Sequence, residues 1–149
     1  MESITVALVQ HASPMGHKAA NLERTVALAR AAAAQGASLV AFPELGITGH
    51  AGHRAMVAEA EEVPNGPACR LLTELAIELG ITISAGIAED DLGIHYNTQF
   101  LVGPDGYIGK QRKIHLSRDE YFYFRAGTHM PVRAIPGARV GTVICYDSE

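Results

Sequence analysis

Apolar positions along the chain follow two periods, and the switches between them mark out the elements. Residues 4–10 (ITVALVQ) are a short apolar run without helical spacing, which predicts a buried strand. Over 18–35, Leu22, Val26 and Ala29 recur at helical spacing in an alanine-rich segment, and Gly36 stands where a helix would stop. Residues 38–42 (SLVAF) predict a second strand. Pro43 biases Phe42 towards extended backbone, so residue 44 falls just past a strand end. A Gly-rich loop covers 45–53. The spacing of Leu71, Leu72, Leu75, Ala76 and Leu79 predicts a helix over 67–79, with Asn65 as its cap, Pro67 in its first turn and Gly80 at its end. Strands are predicted at 81–88, 95–102 and 107–112, the last two joined as a hairpin through Gly103-Pro104-Asp105-Gly106. Residues 113–131 read as an irregular aromatic-rich loop, and 132–135 and 138–144 as two strands around Pro136-Gly137.

Helices between the early strands, followed by hairpins, predict a layered α/β (α+β) fold with a mixed sheet. Neither an internal repeat nor a Pro/Ser-rich linker divides the chain, so residues 1–149 read as one domain. Hydrophobic residues make up 48% and charged residues 19%, the profile of a globular chain with a real core. Twelve Lys+Arg against sixteen Asp+Glu give a net charge of −4 with no basic block, which argues against nucleic acid as a partner. No apolar run approaches the ~20 residues of a membrane span, and the N-terminal run lacks the positive flank of a signal peptide. Cys69 and Cys145 have neither metal-type spacing nor a disulfide framework, which points to a reducing, cytoplasmic setting.

Three segments carry chemistry: Phe42-Pro43-Glu44-Leu45, Gly109 to Leu116 (GKQRKIHL) and Gly141 to Asp147 (GTVICYD). Each places a reactive side chain just after a predicted strand. A carboxylate, an ammonium and a thiol form a complete set for amide hydrolysis. The thiolate is the reactive form of cysteine, and an ordinary thiol with a pKa of about 8.5 needs activation. Glu44 can take the proton, and its apolar neighbours predict a raised pKa. Lys113 offsets the carboxylate's charge and can stabilise an oxyanion, with the Tyr146 N–H as a second donor.

The FPEL, RKIHL and ICYD segments, in that order, resemble the Glu-Lys-Cys motifs of the nitrilase superfamily of carbon–nitrogen hydrolases. The opening VALVQ, the GPDGYIGK turn before the lysine and Phe124-Arg125-Ala126-Gly127 after it extend the resemblance over essentially the whole chain. It implies Glu44 as general base, Lys113 as oxyanion stabiliser and Cys145 as nucleophile. It also implies a second, positioning glutamate in the loop after the lysine, best matched by Glu120 beside Asp119. Tyr146-Asp147 stands where nitrile-hydrolysing members carry Trp-Glu, which favours the amidase and carbamoylase branches. The implied fold is the N-terminal portion of a four-layer α-β-β-α sandwich, paired into homo-oligomers in full-length members. Members continue well past the cysteine, so the chain reads as incomplete at its C-terminus.

Other readings stand beside this one. His50 and His53, three apart, are a metal-ligand spacing without a third ligand, and no metal or cofactor is expected. His115 could form a papain-like dyad with Cys145, or pack beside the lysine. Cys69 reads as a structural thiol on a helix. Residues 121–124 (YFYF) read as a pocket rim or core. At the level of function, a catalytically inactive fragment or interaction module competes with a hydrolase of small amide or N-carbamoyl compounds, and acyl transfer would use the same thioester.

Overall fold

The computed structural model describes residues 3–51 and 53–149. Its elements follow the predicted order: β1 (Val6–Leu8), α1 (Lys18–Ala34), β2 (Leu39–Ala41), α2 (Pro67–Leu79), β3 (Thr82–Asp91), β4 (Ile94–Gly103), β5 (Gly106–Arg112), β6 (Arg133–Ile135) and β7 (Ala138–Val140). Short 3-10 turns lie at Arg54–Val57, Glu120–Phe122 and Cys145–Ser148. β1 to β5 form one sheet in sequence order, β6 and β7 a separate antiparallel pair. β1, β2 and β3 run parallel and need crossovers, supplied by α1 and by the segment containing α2. β3, β4 and β5 are antiparallel. The sheet is therefore mixed, as the pattern predicts.

The two faces of the sheet differ. Val40, Ile83, Ala85, Ile87, Phe100 and Val102 pack against Ala29, Leu72 and Ala76 of the helices to form the main core. At one end of this face Glu89 is buried, with Lys110, Arg112 and Thr98 all donating to its carboxylate. Alternation sends Ser84, Gly86, Ala88, Asn97, Gln99 and Gln111 to the opposite face, which is polar near its centre. A smaller core of Leu45, Met56, Ala88, Leu116 and Phe124 closes part of that face.

Several local expectations change. β1 is not buried: it lies at the sheet edge, and its Leu8 is 83% exposed. α1 buries Asn21, Thr25, Ala29 and Ala32, leaving Leu22 and Val26 only partly covered. Its stripe is turned because the Asn21 amide donates to Pro14 O (2.9 Å) and Ile47 O (3.1 Å), tying the helix to loops. Asn65 does not cap α2. Its amide donates to Glu62, while the Glu61 carboxylate accepts the Ala68 N–H at 2.7 Å. A carboxylate from six residues upstream thus satisfies the helix start. The 138–144 strand stops at Val140, where its pairing with β6 runs out at Arg133.

β2 ends at Ala41, so the β3 backbone beyond Ser84 needs other partners. The chain after β2 supplies them. Phe42 N–H donates to Ser84 O (2.8 Å), Ile47 N–H to Gly86 O (3.0 Å), and Thr48 Oγ1 accepts from Ala88 N–H (3.0 Å). The turn carrying Glu44 is stitched directly onto the sheet. Gly86 makes this approach possible: a Cβ there would lie 2.5 Å from Leu45 N and 2.6 Å from Pro43 O. Gly86→Ala is expected to cost about 1–3 kcal/mol, the usual scale for overpacking. Denaturant unfolding measures it, and an unchanged midpoint would mean that the turn yields freely.

Candidate active site

Lys113 follows β5 directly and is pinned at both backbone ends. Its N–H donates to Asn97 O and its C=O accepts from Gly127 N–H, both at 2.8 Å. Gly127 lies so close to Arg112 O, 2.3 Å from a notional Cβ, that only glycine fits the loop closure. The Lys113 side chain is 1% exposed. Its ammonium donates to Glu44 Oε1 at 2.8 Å and Glu120 Oε2 at 2.7 Å. Glu120, also buried, starts the 3-10 turn of the 113–131 loop, and its Oε2 accepts the Ser117 N–H at 2.7 Å as well. Glu44, Lys113 and Glu120 thus come together.

Asn97 completes the group. Its amide NH2 donates to Glu44 Oε1 (2.7 Å) and to Glu120 Oε1 (2.8 Å), bridging both carboxylates. Sequence reading missed it, since an asparagine within a strand pattern carries no spacing signal. Its position opposite Ala88 on the polar face makes it part of the site.

The electrostatics balance. Burial alone would lower the Lys113 pKa, but the hydrogen bonds and charges of Glu120 and Glu44 outweigh it and hold the ammonium above its ordinary value. Burial would raise the Glu120 pKa, but Lys113, the Ser117 N–H and Asn97 outweigh that and hold the carboxyl below its ordinary value. The surroundings of Glu44 are not apolar: Lys113 and Asn97 both reach its Oε1. An ammonium already stands between the two carboxylates. His50 brings a ring nitrogen within 4.8 Å of the nearest oxygens of Glu44 and Glu120. His53 serves elsewhere, its Nδ1 accepting the Ala55 N–H at 3.2 Å.

Cys145 opens the last 3-10 turn. It is exposed, with φ at 49°, a left-handed conformation rare outside glycine. Leu45, directly after Glu44, has the same φ of 49°. Glu44 and Cys145 line one cleft of about 390 Å³, together with Leu39, Ser84, Gln99 and Leu101 of the sheet. The Tyr146 N–H is the first backbone donor after the thiol, ahead of the Asp147 N–H, which bonds to Ile144 O within the turn. His115 is neither packed beside the lysine nor paired with the thiol. It is exposed, and its Nδ1 lies 3.2 Å from Asp147 Oδ1. Cys69 is buried in α2, and burial, partly offset by its hydrogen bond with Thr73, pushes its thiol up to about 11. Of the aromatic run, Phe124 is core while Tyr121 and Phe122 are exposed.

The carbon–nitrogen hydrolase family matches residues 5–149. A nitrilase of Pyrococcus abyssi is 38% identical over 147 residues, covering 97% of this chain and 56% of its own length. An (R)-stereoselective amidase of Pseudomonas sp is 35% identical over 144 residues, covering 97% and 52%. The crystal structure of XC1258 from Xanthomonas campestris, described as a CN-hydrolase superfamily protein with an arsenic adduct in its active site, superposes with a TM-score of 0.89 at 26% identity, covering 99% of this chain and 55% of that one. The chain therefore spans about half the length of the relatives it matches.

The charge balance has a pH signature. The depressed Glu120 carboxyl contributes stability that is present above its ordinary value of 4.5 and lost as pH falls through its lower folded value. The raised Lys113 ammonium contributes stability that is present below 10.5 and lost as pH rises through its higher folded value. Unfolding free energy measured against pH should fall away on both sides of this window. Glu120→Gln should flatten the acid limb. Parallel acid limbs for the two proteins would contradict the pairing.

Proposed function

The chain belongs to the carbon–nitrogen hydrolase family, and on that footing we propose that it carries the catalytic set of a thiol-dependent hydrolase of small amides or N-carbamoyl compounds. The observation that carries this reading is the buried Lys113 ammonium, held between Glu44 and Glu120 beside the cleft that Glu44 shares with Cys145. Glu44 acts as general base, Lys113 as oxyanion stabiliser, Cys145 as nucleophile and Glu120 as the positioning carboxylate.

The free valences suit these roles. An ammonium has three hydrogens. Two are taken by Glu44 and Glu120, which leaves one for an oxyanion. Both bonds to Glu44 fall on Oε1, which leaves Oε2 for the thiol proton. Cys145 Sγ attacks the amide carbon as its proton passes to Glu44. The oxyanion takes a hydrogen bond from Lys113 and from the Tyr146 N–H. Collapse breaks the carbon–nitrogen bond, Glu44 returns the proton to the leaving nitrogen, and ammonia or an amine departs from a thioester. Glu44 then deprotonates water, which attacks the thioester, and the proton returns to the thiol as the carboxylic acid leaves. Amides are favoured over nitriles because Tyr146-Asp147 follows the cysteine.

The same reading extends to setting and assembly. Among the described residues, no helix is long and apolar enough to cross a membrane. Both cysteines are free thiols, which fits a cytoplasmic setting. The outward Leu71 and Ile77 of α2 give the helical layer an apolar surface suited to a homo-oligomer in the full-length form.

In the intact protein, Cys145→Ala should lower ammonia release from an amide by about 10³-fold or more with the fold retained. Glu44→Gln and Lys113→Met should each approach that loss. Full activity in Cys145→Ala would refute the proposal, and His115→Ala as inactive as the cysteine variant would shift it to a dyad.

A further inference from the structure

The cysteine turn packs Ile144 inward but is joined to the lysine segment by the hydrogen bonds of one carboxylate. β7 ends at Val140, and residues 141–144 run to Cys145 outside any strand. Among the described residues, one side chain links this turn to the lysine segment, and it is Asp147. Its carboxylate is fully desolvated, at 0% exposure. Oδ1 accepts the N–H groups of Ile114 (3.0 Å) and His115 (2.8 Å), the two residues after Lys113. Oδ2 accepts the N–H of Ile144 (3.2 Å), the residue before Cys145. Among the described residues, the one ionisable side chain within hydrogen-bond reach of it is His115, whose Nδ1 lies 3.2 Å from Oδ1. A buried carboxylate bonded to three backbone N–H groups is a strong, directional anchor.

We infer that Asp147 is a positioning residue that couples the nucleophile to the lysine: it clamps the residue before Cys145 to the residues after Lys113. The inference rests on the reading of Cys145 as nucleophile and Lys113 as its electrostatic partner. The physical reasoning is short. Cys145 sits in a left-handed conformation that its turn must enforce, and the turn has no strand ladder to enforce it. The same carboxylate also sets the spacing between the thiol turn and the ammonium. Without it, the thiol turn is no longer tied to the segment that carries the ammonium, and the thiol loses its fixed position beside the cleft.

The test is the pH dependence of Cys145 alkylation by iodoacetamide in the intact protein, resolved by peptide mass spectrometry, with buried Cys69 as the internal reference. Wild type, Asp147→Ala, Asp147→Asn, Lys113→Met and the Asp147→Ala/Lys113→Met double variant are compared. Asn keeps the Oδ1 acceptor but turns an NH2 towards the Ile144 N–H, so it should fall between wild type and Ala. Asp147→Ala should slow alkylation at neutral pH about tenfold and displace the pH profile upwards. Lys113→Met should do the same, and the double variant should be no worse than either single one. Additive losses, or an Asp147→Ala profile that overlays wild type while Lys113→Met shifts, would overturn the role of Asp147. Wild-type alkylation that Lys113→Met leaves unchanged would instead overturn the underlying reading. Far-ultraviolet circular dichroism and unchanged protection of Cys69 certify the fold. If Asp147→Ala exposes Cys69, Asp147→Asn decides: an overlay of its profile on wild type counts against the inference, an upward shift for it.

Discussion

A lysine ammonium buried to 1% exposure is stable only when opposite charge is built around it, and here two carboxylates do so. Glu44 comes from the turn after β2 and Glu120 from the loop after β5, so the ion group joins segments that the sheet alone would leave independent. Removing either carboxylate would take from the buried ammonium one of its two hydrogen-bond acceptors. The group is therefore structural and chemical at once. Its net charge of −1 leaves one carboxylate's worth of basicity beside the cleft, with the ammonium's remaining hydrogen unspent.

The rest of the architecture serves to hold that group in register. Asn97 bridges both carboxylates from β4 and its carbonyl receives the Lys113 N–H, so one residue reads the positions of all three partners. Gly86 lets the Glu44 turn settle onto β3, and Asn21 ties the same turn to α1. Gly127 closes the loop that delivers Glu120. Asp147 brings the cysteine turn to the lysine segment. The small core of Leu45, Met56, Leu116 and Phe124 takes one residue from the Glu44 turn and two from the loop after Lys113, and so packs the two segments together.

The element order, both helices and the mixed sheet are legible in the apolar periodicities, because long periodic segments state their partners. Gly36 and Gly80 are legible as helix ends, and the Gly103–Gly106 turn as a hairpin. What is not legible depends on contacts distant in sequence. Glu61 takes the helix-capping role expected of Asn65 because β3 carries the chain past it. β1 looks like a core strand in composition, yet lies at a sheet edge. Within the site, Glu44, Lys113, Glu120 and Cys145 stand out by motif and order. Asp147 stands in the cysteine motif, but its bonds to Ile114 and His115 are not legible there, and Asn97 carries no motif: both make hydrogen bonds across 23 to 53 positions. His115 shows the opposite case: proximity to the lysine in sequence suggests a role that its exposed position and its bond to Asp147 redirect.

The central claim is that this ion group exists to serve a thioester formed at Cys145. Peptide mass spectrometry of the wild-type protein, rapidly quenched during turnover of a small amide with Cys145→Ala as the control, tests it most directly. The acyl group should appear, as the amide's mass less ammonia, on the peptide that contains Cys145. Ammonia release with no adduct at Cys145, or with the acyl group on another residue, would contradict the account.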